Sequence, residues 1–213
     1  MLAEGSGLVQ NKHSKSKKFA VLFYLRYFPN IIYFYYVAYS ITIKKGEMFM
    51  KTRKLTISAL LIAIGALAGQ LIYIPIGASK CFPVQHTINV LSAVLLGPWY
   101  GVMNAFCISL LRNFMGTGSL MAFPGSMVGA LLAGQMYRLT KNNYITAFGE
   151  VFGTGILGGF LAVPIAIFIM GNAVGAFAYV VPFLISTIGG SIIALLILQS
   201  NAFVSTAKKI VGE

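Results

Sequence analysis

From Leu55 onward, long apolar runs alternate with short breaks rich in polar residues, glycine and proline. This pattern predicts helical spans, and breaks such as Gly97-Pro98 and Lys141-Asn142 mark their ends. The six predicted spans are Leu55–Ile74, Val84–Leu96, Trp99–Phe114, Ser126–Leu139, Tyr144–Met170 and Val174–Gln199. The second to fourth spans are shorter than the roughly 20 residues needed to cross a bilayer. We therefore expect an all-α integral membrane protein, a bundle of six transmembrane helices with loops that dip into the membrane under a cover of protein.

The composition supports a membrane location and indicates an orientation. Hydrophobic residues make up 58% of the 213-residue chain and charged residues 9%, against about 25% charged residues in soluble domains. We therefore do not expect a soluble enzyme or a nucleic-acid-binding protein. The formal net charge of +12 is better explained by the tendency of Lys and Arg to stay on the cytoplasmic side of a membrane.

The cations sort by side if the six spans alternate in direction. Seven fall on the side of the termini, whereas Lys80 and Arg112 fall on the opposite side. The seven are Lys51, Arg53, Lys54, Arg138, Lys141, Lys208 and Lys209. We expect a multi-pass protein of the plasma membrane with both termini in the cytoplasm.

Residues 1–47 differ from residues 48–213, which form the predicted six-span domain. The early stretch is rich in Lys, Asn, Ile, Phe and Tyr, and its apolar run from Phe19 to Ile43 is interrupted by Arg26 and Pro29. An extra span, a signal peptide and an upstream mis-start are three interpretations. We favour a functional start at Met48 or Met50. Mass spectrometry of the native N-terminus tests this, and a peptide from residues 19–43 would contradict it.

The commonest catalytic and energy-coupling motifs are missing from the sequence. It contains no GxxxxGK[ST] loop for ATP and no HExxH, and Glu150 is the one acid inside the predicted spans. Cys81 and His86 lack further nearby ligands, so no metal site is expected. We expect a protein that is not an enzyme and that binds no cofactor itself.

Polar residues gather at the outer ends of the second and third spans. Gln85, His86 and Asn89 open the second span, while Arg112 and Asn113 close the third. Thr117, Ser119 and Ser126 follow nearby, and the candidate aromatic walls are Phe82, Trp99, Phe114 and Phe123. Such a set predicts an outward-facing pocket for a small heteroaromatic ligand, although hydrogen bonds between helices are the alternative role.

Two single residues leave their roles open. Arg112 is either part of the pocket or a cation whose head reaches the membrane surface. Glu150, about two turns into the fifth span, contacts a ligand, pairs with Arg112 or Arg138, or bonds to exposed backbone.

Several motifs resemble those of the ThiW family, the substrate-binding (S) components of energy-coupling factor (ECF) transporters. The resemblance covers about residues 50–200. The motifs are Pro83-Val84-Gln85-His86 with Asn89, Leu96-Gly97-Pro98-Trp99-Tyr100, Arg112-Asn113 with Gly116-Thr117-Gly118, Ala122-Phe123-Pro124-Gly125-Ser126 with Gly129, and Glu150 with Gly153-Thr154-Gly155.

The resemblance implies a six-helix binding subunit that takes up a thiamine precursor, hydroxyethylthiazole, near the outer face. The pocket predicted above fits such a ligand, and its candidate substrate-binding residues are Gln85, His86, Asn89, Arg112, Asn113, Phe123 and Glu150. The resemblance also implies a transmembrane coupling protein and two ATPases as partners, which use the ATP. An AxxxA motif in the first helix, here Ala59 and Ala63, would dock on the coupling protein, although packing inside the bundle is its ordinary role. A stand-alone secondary transporter or facilitator of a small heteroaromatic metabolite is the alternative function.

Overall fold

The structure, a computed structural model, describes residues 52–69, 71–76 and 79–212. The early stretch, residues 1–47, therefore lies outside the described residues. A two-stranded antiparallel hairpin pairs β1 (Ile74–Ile76) with β2 (Ser79–Cys81), and Ile74 lies opposite Cys81. The helices are α1 (Thr52–Gly69), α2 (Pro83–Leu95), α3 (Pro98–Phe114), α4 (Ala122–Thr140), α5 (Asn143–Phe168), α6 (Val180–Gln199) and α7 (Asn201–Val211).

Local sequence explains most of these boundaries. Pro98 occupies the first turn of α3, where its missing N–H costs nothing, and Gly97 before it has a φ of 91°. The side chain of Asn142 caps α5 by accepting hydrogen bonds from the backbone N–H groups of Tyr144 and Ile145. The predicted and observed ends of α2, α3 and α5 accordingly differ by two residues or fewer.

Three predicted boundaries were wrong. The first span ends at Gly69 instead of Ile74, because the chain turns into the hairpin that precedes α2. The last span begins at Val180 instead of Val174, which places Pro182 in the first turn of α6, where proline is tolerated. The fourth span begins at Ala122 instead of Ser126. The segment after Ser200, which lies beyond the last predicted span, forms α7, a helix with one apolar face and Lys208 and Lys209 in its last turn.

Three helices in the described part of the chain are long and apolar enough to span a membrane: α1, α5 and α6. The helices between them are shorter, and α2 has only 13 residues. Every residue of α2 except Val84 is buried, so its polar side chains face other helices. Large apolar side chains such as Leu60, Ile192 and Leu196 are exposed on the longer helices. Buried polar side chains and exposed large apolar ones are the opposite of the usual arrangement in a soluble protein. They suit a chain surrounded by lipid.

Close helix contacts depend on glycine at two positions. A Cβ at Gly129 of α4 would lie 2.8 Å from Glu150 Oε2 on α5, and a Cβ at Gly190 of α6 would lie 2.7 Å from His86 Cβ on α2. Both distances are too short for a Cβ atom, so any other residue would force the neighbouring side chains or the helices themselves to shift. The middle of α5, Val151–Gly158, is a π-helix that begins directly after Glu150. Such segments are rare and often occur at functional sites.

Candidate functional site

A cavity of about 280 Å³ lies where the hairpin and the ends of several helices meet. The hairpin, α2, α3, the α3–α4 loop, α4, α5 and α6 all contribute to its wall. The lining residues are Lys80, Phe82, Gln85, His86, Arg112, Thr117, Gly118, Ser119, Met121, Ala122, Ser126, Thr154, Tyr179, Pro182, Phe183 and Ser186. Thr154 lies eleven residues from the start of α5, or about 16 Å along the helix axis. The cavity therefore reaches from one end of the bundle towards its middle.

Arg112 is built into the cavity wall. Its side chain is only 2% exposed, and its guanidinium carbon lies 3.6 Å from the centre of the Phe82 ring. Nη1 donates a hydrogen bond to Gln85 Oε1, and Nη2 donates one to the carbonyl oxygen of Thr117 at 3.1 Å. The alternative of a cation reaching for the membrane surface was therefore wrong. Arg112 instead fixes the α3–α4 loop to α2.

Glu150 lies behind His86, fully buried. Its Oε1 atom is 2.9 Å from His86 Nδ1, from Asn89 Nδ2 and from Thr154 Oγ1. The alternative in which Glu150 pairs with Arg112 or Arg138 was wrong, because the carboxyl group faces His86 and Asn89 on α2. Three potential donors therefore surround one carboxyl oxygen, as a buried carboxyl group favours, whereas Oε2 is buried without a hydrogen-bond partner among the described residues.

A continuous polar network joins these two centres. Gln85 Nε2 donates to Ser109 Oγ at 2.9 Å, and the Ser109 hydroxyl lies 3.1 Å from that of Ser126. The carbonyl oxygen of Ser126 accepts from Asn89 Nδ2 at 3.2 Å, and the same amide nitrogen bonds to Glu150. The network crosses from α3 through α2 and α4 to α5, so the cavity wall and the helix packing depend on the same bonds.

The structure separates the predicted site residues into three groups. Gln85, His86 and Arg112 line the cavity, and Asn89 and Glu150 lie directly behind it. Asn113 and Phe123 do not line it. The Asn113 amide donates instead to the backbone carbonyls of Ser109 and Ser119.

Among the candidate aromatic walls, only Phe82 lines the cavity. Phe123 lies one position, about 100° of helix turn, from Ala122 and packs on Phe106 with ring centres 5.6 Å apart. Trp99 and Phe114 are 70% and 80% exposed, away from the cavity.

Several cavity residues were missing from the sequence-based prediction. Tyr179, Pro182, Phe183 and Ser186 enter the wall from the start of α6, whose position was predicted six residues too early. Lys80 comes from the hairpin, which the apolar pattern did not predict, and its Nζ lies 5.0 Å from the centre of the Tyr73 ring. The Cys81 thiol fixes this hairpin to α6 by donating to the carbonyl oxygen of Pro182 at 3.1 Å. Burial raises the pKa of the Cys81 thiol, which keeps the donating proton in place.

Clusters of three or more metal-ligating side chains are lacking in the part of the chain that the structure describes. The lining residues of the cavity offer aromatic faces, hydroxyls, an amide, an imidazole and two cations. Such a lining suits a small polar heteroaromatic molecule.

The family model of the thiamine-precursor transporter protein ThiW matches residues 55–202, a range that includes every cavity-lining residue. The chain belongs to the ThiW family. No curated protein and no solved structure matches it. ThiW is a transporter family and not an enzyme family, and together with the apolar helices this makes the chain a membrane transport protein.

Replacement of Arg112 by Lys tests whether the guanidinium holds the cavity wall of this ThiW protein together. A lysine ammonium cannot reproduce the planar fork that bonds Gln85 and Thr117 at once, so Arg112→Lys leaves a buried acceptor unpaired. We expect a loss of about 1–3 kcal/mol in stability, measured as a lower unfolding temperature in detergent. Arg138→Lys, at an exposed position, is the matched control and should leave the unfolding temperature unchanged. Equal unfolding temperatures for both variants and the wild type would contradict this role of Arg112.

Proposed function

We propose that this chain is the substrate-binding subunit of an ECF-type importer and that it captures hydroxyethylthiazole in the cavity described above. In this proposal six helices, α1 to α6, cross the plasma membrane and both termini are cytoplasmic. A separate transmembrane coupling protein and two ATPases supply the driving force, and this chain binds no cofactor itself. The observation that carries the proposal is this cavity, which combines aromatic walls with polar groups at one end of an apolar bundle.

The size and lining of the cavity support a small neutral ligand. About 280 Å³ is at the lower limit for pockets that take drug-sized ligands, so a single substituted ring is a better match than a larger vitamin. Phe82, Tyr179 and Phe183 offer ring faces for stacking. The Arg112 guanidinium already bonds to Gln85 and Thr117 and lies over the Phe82 ring. It therefore acts as part of the cavity wall.

The first helix supports docking of a partner. Ala59 and Ala63 are both exposed, whereas Ser58 and Leu61 are buried, and Ser58 donates a hydrogen bond to Asn104 Oδ1 on α3. The pair of alanines is thus not used for packing within the described bundle. Small side chains at four-residue spacing let another helix approach closely in a membrane.

The positions of the cations support the proposed orientation. Arg53 and Lys54 begin α1, Arg138 and Lys141 follow at the end of α4, and Lys208 and Lys209 end α7. The cavity lies at the opposite ends of α4 and α6, near their first residues. The positive-inside tendency then puts the cavity towards the outer face.

Calorimetric titration of the purified chain tests the ligand. We expect one hydroxyethylthiazole per chain, bound more tightly than intact thiamine. Phe183→Ala should weaken binding by about two- to tenfold through the lost ring contact, whereas Phe114→Ala, at an exposed ring outside the cavity, should not. Stronger binding of thiamine or of an unrelated vitamin would contradict the substrate assignment.

Uptake into vesicles that contain the complete transporter tests the docking surface. Ala59→Trp combined with Ala63→Trp should abolish uptake and leave binding to the purified chain unchanged, because the bulky rings block approach of the coupling protein. Leu60→Trp with Ile64→Trp, an exposed pair at the same spacing on the neighbouring face of α1, is the control. Uptake that survives the alanine substitutions would show docking elsewhere. Uphill uptake by this chain alone with a proton gradient would favour a secondary transporter.

A further inference from the structure

The imidazole of His86 is held on one side and free on the other. Its Nδ1 atom lies 2.9 Å from Glu150 Oε1, whereas Nε2 has no hydrogen-bond partner among the described residues. Nε2 is not fully enclosed by the described residues, and His86 lines the cavity. Nε2 is therefore the nitrogen that a ligand can reach.

The surroundings of Glu150 fix the direction of its bond to His86. Asn89 Nδ2 is a donor, because it also bonds to the carbonyl oxygen of Ser126 at 3.2 Å. The Thr154 hydroxyl lies 2.9 Å from the same carboxyl oxygen and 3.2 Å from the carbonyl oxygen of Gly125, so its one proton can serve either acceptor. An oxygen that already receives the Asn89 hydrogen bond favours the acceptor role, with any carboxyl proton on Oε2, which has no partner among the described residues. With Oε1 as the acceptor, the proton between Glu150 and His86 belongs to Nδ1.

A neutral imidazole carries only one N–H, so a proton held on Nδ1 leaves a lone pair on Nε2. We propose that Glu150 is a positioning residue that holds His86 in the Nδ1–H tautomer, and that Nε2 accepts a hydrogen bond from a hydroxyl group of the ligand. The site then selects heteroaromatic ligands with a free hydroxyl over those in which the hydroxyl is capped. The ligand half of this proposal rests on the proposed function, whereas the tautomer half does not.

The charges around the cavity are consistent with this role. Lys80 and Arg112, its two lining cations, can only donate hydrogen bonds, and Glu150 is the one acid in the described residues. Glu150 Oε1 is already surrounded by His86, Asn89 and Thr154, so the carboxyl group acts on a ligand through the imidazole. Nε2 thus provides an unused acceptor among groups that mainly donate.

Nitrogen-15 NMR of the full chain, labelled at histidine, tests the tautomer. His13→Ala removes the other histidine, so the remaining signals come from His86. At a pH where the ring is neutral, we expect the proton on Nδ1. Glu150→Gln should keep this tautomer, because its amide oxygen can take the place of Oε1, whereas Glu150→Leu should shift the proton towards Nε2. A proton on Nε2 in the wild type would overturn the proposal, and this result does not depend on whether Glu150→Leu folds.

Binding of hydroxyethylthiazole and of its methyl ether tests the ligand half. The ether keeps the ring and the oxygen but cannot donate, so we expect it to bind the wild type and Glu150→Gln about tenfold or more weakly than the alcohol. Glu150→Leu should lose most of this discrimination. Equal binding of both compounds to the wild type would overturn the role of Nε2 and leave the proposed function intact. Binding of neither compound would overturn the proposed function and the ligand half together, while the NMR result would still decide the tautomer.

Discussion

Glu150 lies fully buried in a helix that crosses an apolar bundle, where a carboxyl group is costly unless hydrogen-bond donors surround it. His86, Asn89 and Thr154 surround one of its oxygens, whereas Oε2 is buried without a partner among the described residues. Two of these residues belong to α2 and one lies four positions further along α5. The position of α2 in the bundle is therefore linked to the carboxyl group, and the remaining polar contacts follow from that placement.

The same requirement explains why the short helix α2 lies at the centre of the bundle. The polar face of α2 would be unfavourable against lipid, but it is covered by α3, α4, α5 and α6, and its side chains bond to those helices. Glycine at positions 129 and 190 lets α4 and α6 come close enough to complete that cover. The cavity above this network is then bounded by groups whose geometry is already fixed, which favours recognition of a small ligand without a large loss of conformational freedom.

The sequence was most informative where proline, glycine and asparagine interrupt apolar runs, because these residues end helices for local reasons. The ends of α2 and α3 follow from Pro83, Gly97 and Pro98. The hairpin was missed because its three-residue strands are too short to show an alternating pattern. The start of α6 was misplaced because residues 174–179 are as apolar as the helix that follows.

The placement of candidate residues around the cavity could be predicted where helix spacing determines the direction of a side chain. It could not be predicted where contacts with other helices or loops determine that direction. Gln85 and His86 lie on the cavity wall, and Asn89 lies one turn deeper, as their spacing on α2 requires. Asn113 follows Arg112 directly, but the backbone of the next loop captures its amide. On α4, Ala122 and Ser126 form the face that borders the cavity. Phe123 lies off this face and packs on Phe106 of α3. No local pattern carries this information.

The most direct test of the central claim is an experimental structure of the full chain with hydroxyethylthiazole bound. We expect a single ligand in the cavity, with its ring beside the aromatic side chains of Phe82, Tyr179 and Phe183 and its hydroxyl within hydrogen-bond distance of His86 Nε2. A ligand bound at another place in the bundle, or a cavity that stays empty at saturating ligand, would contradict this expectation.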